Sequence, residues 1–264
     1  MENDHRTNFQ TANCEASVIL FRRSNRFKLI EGLLFCITAV LFAFLLREAC
    51  LQTATALAKT NGGKFLLVLT GGLLFWGFLI FVVAPLFLGL LQMAARMAND
   101  EEVFLPDLFL PLSNGKRYLR ALAVLLPFLW KIAVFFWLPG FLFDVLEALF
   151  GKTLLLTVLG AVISALLAGA WCLWALRGFV RLSFLLQWRM PLRASRRANR
   201  QIAGKSFSGG GFWWICYLPR ILLGFLTVGI LLVADVIPRM MISYFRYAGR
   251  MTDYAFSSEE PNHE

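Results

Sequence analysis

Residues 65–93 read FLLVLTGGLLFWGFLIFVVAPLFLGLLQM and contain no charged side chain. A helix needs about 20 apolar residues to cross the hydrocarbon core of a bilayer, so this stretch predicts a membrane-spanning helix. Pro85 lies inside the stretch and predicts a kink, because proline lacks the backbone N–H and clashes with the preceding turn. Of the 264 residues, 59% are hydrophobic and only 16% are charged. Soluble domains carry about 25% charged residues, so the composition predicts an all-α, polytopic transmembrane helix bundle.

Other apolar stretches bring the predicted number of membrane spans to six. Their approximate bounds are 29–46, 65–93, 121–143, 153–176, 212–227 and 229–247. Together they make a transmembrane domain over 27–250, with a cytoplasmic N-terminal tail at 1–26 and a cytoplasmic C-terminal tail at 251–264. The last two spans depend on a tight reversal at Gly229. The alternative interpretation of 212–247 is one span followed by a surface helix.

The distribution of Lys and Arg predicts which segments face the cytoplasm, because short cytoplasmic loops carry an excess of these residues. With six spans and both termini inside, 20 Lys and Arg residues fall on the inside and four on the outside. With five spans the counts become 17 and seven. We therefore expect a multi-pass protein of the cell (cytoplasmic) membrane, with both termini in the cytoplasm.

Several short motifs resemble a family of six-span integral membrane proteins of unknown function from Gram-positive bacteria. The motif residues are Gly89–Met93, Glu101–Phe109, Leu129–Trp130, Leu138–Gly140, Ile221–Ile230 and Val236–Pro238. The motifs are also similar to the membrane portion of certain glycerophosphodiester phosphodiesterases. The resemblance implies a six-span helical fold in the cytoplasmic membrane. It implies no chemistry, because those phosphodiesterases carry their catalytic acids in a separate soluble domain, for which we expect no counterpart here.

The residue types that usually serve metal binding and catalysis are sparse. The two histidines, His5 and His263, lie in the predicted tails, and the five cysteines show no C-x-x-C spacing. We therefore expect no catalytic residues, no metal site, no cofactor and no enzymatic activity.

Two cations lie deep inside predicted spans, where a charge costs at least about 2.5 kcal/mol on insertion scales. They are Lys131 and Arg220. The functional interpretation is a cationic spot between helices that binds an anionic substrate or a lipid head group. The structural interpretation is that each cation pairs with Glu31, Asp144 or Asp235, or extends its flexible stem to the interface.

A basic stretch without acidic residues covers 189–205. On a helix its arginines fall within one arc of about 100°, which predicts a basic amphipathic helix. These arginines are Arg189, Arg193, Arg196, Arg197 and Arg200. The helix is predicted to bind anionic lipid head groups on the cytoplasmic face, at about 1 kcal/mol for each basic residue. The alternative is an orientation signal without a ligand.

The segment 101–112, EEVFLPDLFLPL, is short and holds two prolines, so we expect it to lie along the membrane surface as a connector. A gate or a docking site for a partner is the alternative.

The function that these features favour is that of a non-enzymatic structural or accessory component of the bacterial cytoplasmic membrane. The alternative is a small transporter or lipid-handling protein that binds an anion through Lys131 and Arg220. The expected partners are membrane lipids. Nucleic acid is not expected, because membrane topology accounts for the net charge of +10, and the sequence indicates no particular protein partner.

Overall fold

A computed structural model describes residues 2–21, 23–57, 61–132, 135, 154–227 and 229–257. These described residues are about 90% helical and contain no strand, so the all-α prediction is confirmed. Ten α-helices lie in the described ranges. They are α1 (Glu2–Phe21), α2 (Arg23–Leu57), α3 (Asn61–Phe78), α4 (Ala84–Ala98), α5 (Gly115–Ile132), α6 (Leu154–Arg177), α7 (Arg181–Leu186), α8 (Leu192–Gln201), α9 (Ala203–Leu226) and α10 (Ile237–Ser257). Two π-helical turns (Leu79–Val83 and Leu232–Val236) and a 3₁₀ helix (Leu105–Leu112) complete the described elements.

Three helical segments of the described residues are long and apolar enough to cross a membrane. They are Asn25–Cys50, Thr70–Ala98 and Val158–Arg177. The third has a mean hydropathy of 2.0, yet none of its residues is buried inside the protein. An apolar helix without a protein cover is typical of a lipid-facing span. These segments overlap the predicted spans 29–46, 65–93 and 153–176.

The other predicted spans are only partly visible or less apolar. The structure describes the first half of span 121–143 as α5, whereas 133–143 lies outside the described residues except for Phe135. The segments 212–227 and 229–247 form parts of α9 and α10 and do not meet the same criteria of length and hydropathy.

The core forms where α2 packs antiparallel to α3 and α4. A Cβ atom at Gly32 would contact Leu90 and Met93 of α4, whereas one at Gly71 of α3 would contact Cys50 near the far end of α2. The α1 helix, from the segment predicted as a tail, packs along α10 and adds Ala16, Ile19 and Leu20 to this core.

Pro85 is accommodated by the π-helical turn Leu79–Val83, which directly precedes α4. Proline has no N–H to donate to the carbonyl four residues earlier, which belongs to Phe81. That carbonyl instead accepts a hydrogen bond from the Tyr118 hydroxyl of α5, at 3.1 Å. The carbonyl that the predicted kink leaves without a helical donor therefore forms a contact with a second helix, α5.

Pro238 repeats this arrangement in the last helix. The π-helical turn Leu232–Val236 precedes it, and the carbonyl four residues earlier belongs to Ala234. Arg26 at the start of α2 donates its Nε–H to that carbonyl at 3.0 Å. A side chain from a distant part of the sequence again satisfies a carbonyl that proline leaves without its helical donor.

The predicted connector 101–112 folds back onto α4. Its 3₁₀ helix approaches so closely that a Cβ atom at Gly89 would overlap the backbone carbonyl of Leu108. Arg96 fastens the same segment, donating to Glu101 at 2.9 Å and to Asp107 at 2.8 Å. Glycine is therefore the residue that permits the close contact of connector and helix.

The predicted reversal at Gly229 is present. Gly229 has a φ of +77°, in the left-handed region that favours glycine. The chain turns there from α9 into the helical segment that leads to α10, and a Cβ atom at Gly224 would lie 2.8 Å from the Leu232 side chain. We call α9 and α10, with the turn between them, the hairpin; its tip exposes Leu226 and Ile230.

Replacing Gly89 by alanine tests the close approach of the connector. We expect Gly89→Ala to destabilise the protein by about 2 kcal/mol or more, because the methyl group has to displace the Leu108 backbone. The matched control is Gly77→Ala, where an added Cβ atom meets nothing within 4 Å. Thermal unfolding in detergent compares the two variants. Equal midpoints would contradict the contact.

A double-mutant cycle tests the carbonyl that Pro85 leaves without a donor. Tyr118→Phe should cost about 1 kcal/mol of unfolding free energy, because it removes the hydrogen bond to Phe81. In a Pro85→Ala background the cost should fall towards zero, since alanine restores the N–H that the Phe81 carbonyl needs. A Pro238→Ala background serves as the control and should leave the cost of Tyr118→Phe unchanged. The same cost in all three backgrounds would contradict this account.

Candidate functional site

The predicted basic helix exists as α8, which begins directly after the extended residue Pro191. Four of the five predicted arginines lie on its exposed face: Arg193, Arg196, Arg197 and Arg200. The opposite face buries Ser195 and Ala198 against the neighbouring helices. The helix therefore presents a row of guanidinium groups away from the protein.

Arg189, the fifth arginine of the predicted arc, lies outside α8. Its backbone has a φ of +52°, in the left-handed region, and the chain then passes through Met190 and Pro191 before α8 begins. The residue before a proline is disfavoured in the helical region, which explains why α8 does not extend back to Arg189. Arg189 instead lies 3.8 Å from the carboxylate of Glu101.

Lys131 lies close to the basic helix. Its Nζ is positioned over the ring face of Trp174 on α6, a cation–π arrangement. Arg181 and Arg196 lie near enough to repel the Lys131 ammonium group electrostatically. Lys131 and Arg196, both of which the sequence identified, thus interact electrostatically with Arg181, which it did not.

Arg181 is the member of this group whose buried donor atoms lack hydrogen-bond acceptors. Its Nε and Nη2 atoms are buried and form no hydrogen bond. Burial, and secondarily the positive charge of Arg196, lower the pKa of the Arg181 guanidinium from its ordinary value. An arginine stays charged after such a shift, so Arg181 adds a positive charge beside α8 that no carboxylate of the described ranges pairs with.

We define the basic surface as the six cations of this region. They are Lys131, Arg181, Arg193, Arg196, Arg197 and Arg200. None of them forms an ion pair with a carboxylate in the described ranges. Positive charges that are not neutralised within the protein attract anions from outside it.

Arg220 has a different environment. Its Nη1 donates to Oδ1 of Asn13 at 2.9 Å, and the Tyr217 hydroxyl donates to the same oxygen at 3.0 Å. Arg220 thereby joins α9 to α1 and shares no contact with Lys131 in the described part of the chain. Asp235, a predicted partner for either cation, pairs with Arg239 at 2.9 Å. Asp144, another predicted partner, lies outside the described residues.

Sequence reasoning missed Arg181 because it is a single charge in the run GFVRLSFLLQW, which continues the apolar pattern after the fourth predicted span. The structure instead ends α6 at Arg177 and begins α7 at Arg181, with a turn over 178–180. The Ser206 hydroxyl holds this turn, since it accepts from the Val180 N–H at 3.3 Å and donates to the Arg177 carbonyl at 3.4 Å. Gly178 within the apolar run was the signal for the break.

Metal-ligand chemistry finds little support in the described ranges. No group of three or more His, Cys, Asp or Glu side chains there could hold a metal ion. The five cysteines are free thiols. The basic surface is therefore the main candidate for a functional site in the described ranges.

No family model, no curated protein sequence and no solved structure matches the chain. The resemblance to six-span membrane proteins of unknown function stays a prediction.

Proposed function

We propose that this protein is a non-enzymatic accessory component of the cytoplasmic membrane that binds anionic lipids through its basic surface. The observation that carries the proposal is the set of six cations without a carboxylate partner in the described ranges, four of them exposed along α8. Each basic residue near an anionic bilayer contributes about 1 kcal/mol of attraction. Three apolar helices that are long enough to span a bilayer supply the membrane context.

We also propose the six-span topology with both termini in the cytoplasm. The support is a polar cluster that joins segments predicted to share the cytoplasmic side. Glu15 of the N-terminal tail pairs with Arg250 near the C-terminal end, and Arg246 pairs with Asp100 in the loop after the second predicted span. In the same cluster the Gln187 side chain donates to that of Asn99 at 2.6 Å.

One contact favours a specific alternative for the hairpin. Arg26 precedes the first predicted span, on the cytoplasmic side, yet it donates to Ala234 close to the hairpin tip. A hairpin that enters and leaves the membrane from the cytoplasmic side would explain this contact. Both arrangements keep the two termini in the cytoplasm and differ in the position of the tip.

Cysteine labelling in intact cells tests this topology. In a background without native cysteines, the six-span topology predicts that an impermeant thiol reagent labels Leu226→Cys, because the tip faces outside and Leu226 is 81% exposed. A chain that retains only the exposed Cys14 is the control and should stay protected until the cells are permeabilised. Protection of Leu226→Cys would replace the last two spans by the re-entrant hairpin. Labelling of Cys14 in intact cells would reject the cytoplasmic N-terminus.

Removing the charges of α8 tests lipid binding. We expect the joint change of Arg193, Arg196, Arg197 and Arg200 to Gln to reduce the retention of an anionic glycerophospholipid at least tenfold, because about 4 kcal/mol of attraction at low salt is lost. Native mass spectrometry of the purified protein counts the retained lipids, with a zwitterionic lipid of the same acyl chains as reference.

The matched control changes the same four arginines to Lys, which retains the positive charges. Head-group attraction by charge predicts that this variant retains most of the anionic lipid and loses it as salt is added. Unchanged retention in the Gln variant would leave α8 as an orientation signal only. The transporter hypothesis gains no support from the placement of Lys131 and Arg220, because their contacts are separate.

A further inference from the structure

A second basic feature lies outside the basic surface, in a cavity of about 350 Å³. The cavity lies between α4, the 3₁₀ connector, α5 and the end of α7. Four arginines line it: Arg96, Arg117, Arg120 and Arg189. Its size is within the range of small-ligand pockets in proteins.

The four arginines differ in how far the protein already satisfies them. Arg96 donates to Glu101, Asp107 and the Glu102 carbonyl, so its charge and its donors are committed to the connector. Arg96 is therefore a positioning residue that holds one wall of the cavity. It does not supply the positive charge that a bound anion would need.

Arg117 and Arg120 keep most of their donor capacity. Within the described ranges Arg117 donates only to the Ser113 hydroxyl, at 3.4 Å, and Arg120 only to the Met190 carbonyl, at 3.5 Å. Neither forms an ion pair with a carboxylate in the part of the chain that the structure describes. The two residues are three apart on the first turns of α5, so their guanidinium groups reach the cavity from the same helix face.

Arg189 extends this set from the opposite side. Its side chain is 74% exposed and contacts Glu101 only at 3.8 Å. Its backbone adopts the left-handed conformation that favours glycine. This backbone turn follows the short helix α7 and places the Arg189 side chain at the cavity.

Apart from Gln92 of α4, the remaining walls are apolar. Leu88, Val124 and Leu185 line the cavity and belong to the cluster in which α4, α5 and α7 pack. The outer face of α5 is also apolar, because Leu119, Leu126 and Trp130 are exposed there. The cavity therefore combines two guanidinium groups, those of Arg117 and Arg120, that lack a carboxylate partner in the described ranges with largely apolar walls beside an exposed apolar helix surface. Phospholipids have this combination of a charged phosphate next to acyl chains.

We propose that Arg117, Arg120 and Arg189 form a site for the phosphate group of one anionic phospholipid, with its glycerol and proximal acyl carbons against Leu88, Val124 and Leu185. Guanidinium groups match phosphate oxygens with paired hydrogen bonds, which gives the site a geometric preference beyond charge. The inference deepens the proposed function and rests on it. It differs in predicting one saturable, phosphate-specific site in place of several salt-sensitive ones along α8.

The test uses the full chain in detergent and native mass spectrometry with three probes: phosphatidic acid, glycerol 3-phosphate and inorganic phosphate. We expect a single copy of phosphatidic acid to saturate and to survive salt that removes the lipids bound along α8. The joint change Arg117→Gln and Arg120→Gln should weaken this copy at least tenfold. The four-fold Gln variant of α8 should retain it.

The matched control is Lys116→Gln, which removes a neighbouring exposed cation that does not line the cavity and should leave the single copy unchanged. Unfolding midpoints equal to that of the natural chain show that a loss of binding is not a loss of fold. The pair Arg117→Lys and Arg120→Lys separates charge from geometry and should recover only part of the affinity.

Three outcomes would overturn the proposal. Retention of the saturable copy in the Gln pair would remove Arg117 and Arg120 from the site. Equal binding of glycerol 3-phosphate and phosphatidic acid would replace the lipid by a soluble phosphate. The absence of any saturable copy, with salt-sensitive lipids still bound, would reject the cavity site while leaving the proposed function intact. A natural chain that binds the saturable copy but no salt-sensitive lipid would instead reject lipid binding along α8 and leave the cavity site in place.

Discussion

Every backbone carbonyl inside a bilayer needs a donor, because no water is present there to supply one. Pro85 and Pro238 each deprive a carbonyl of its helical N–H, at Phe81 and at Ala234. In both places a π-helical turn precedes the proline, and a side chain from another helix donates to the carbonyl. The helix contacts that follow, α5 on the second span and α2 on the hairpin, depend on these donors. A local defect thereby determines how distant segments pack.

The cations also divide into two groups, according to whether each has a carboxylate or side-chain amide partner among the described residues. Arg96, Arg220 and Arg246 have partners within the protein and join helices or hold the connector. The cations of α8, together with Arg117 and Arg120, have no carboxylate partner in the described ranges. Residue type alone does not separate the groups, since arginine serves both. The presence of a nearby carboxylate or amide separates them, which agrees with structural roles for the first group and with the lipid binding that we propose for the second. Arg189, which is 74% exposed but lies 3.8 Å from Glu101, falls between the two groups.

The sequence predicted those features that depend on local chemistry. An uncharged stretch predicts a span, Gly229 predicts a reversal, and the arginine spacing predicts the exposed face of α8, because each depends on neighbouring residues. The sequence did not predict Arg181 or the pair Arg117 and Arg120. Their importance depends on which helices meet, and helix pairing is not encoded in periodicity. Lys131 and Arg220 illustrate the limit: depth in a span made them similar, whereas tertiary contacts give them different partners.

The positions of the unpaired cations bear on the choice between the transport hypothesis and the lipid-binding hypothesis. A transport path for an anion needs cations that face a shared cavity within the membrane. Arg220 is instead engaged with Asn13, and Lys131 lies over Trp174 beside α8. The unpaired arginines lie along α8 and on the first turns of α5. In the proposed topology both sets lie on the cytoplasmic side, next to apolar helix faces, where phosphate groups meet acyl chains. This placement favours a protein that holds lipids at the cytoplasmic surface over one that moves an anion across the bilayer.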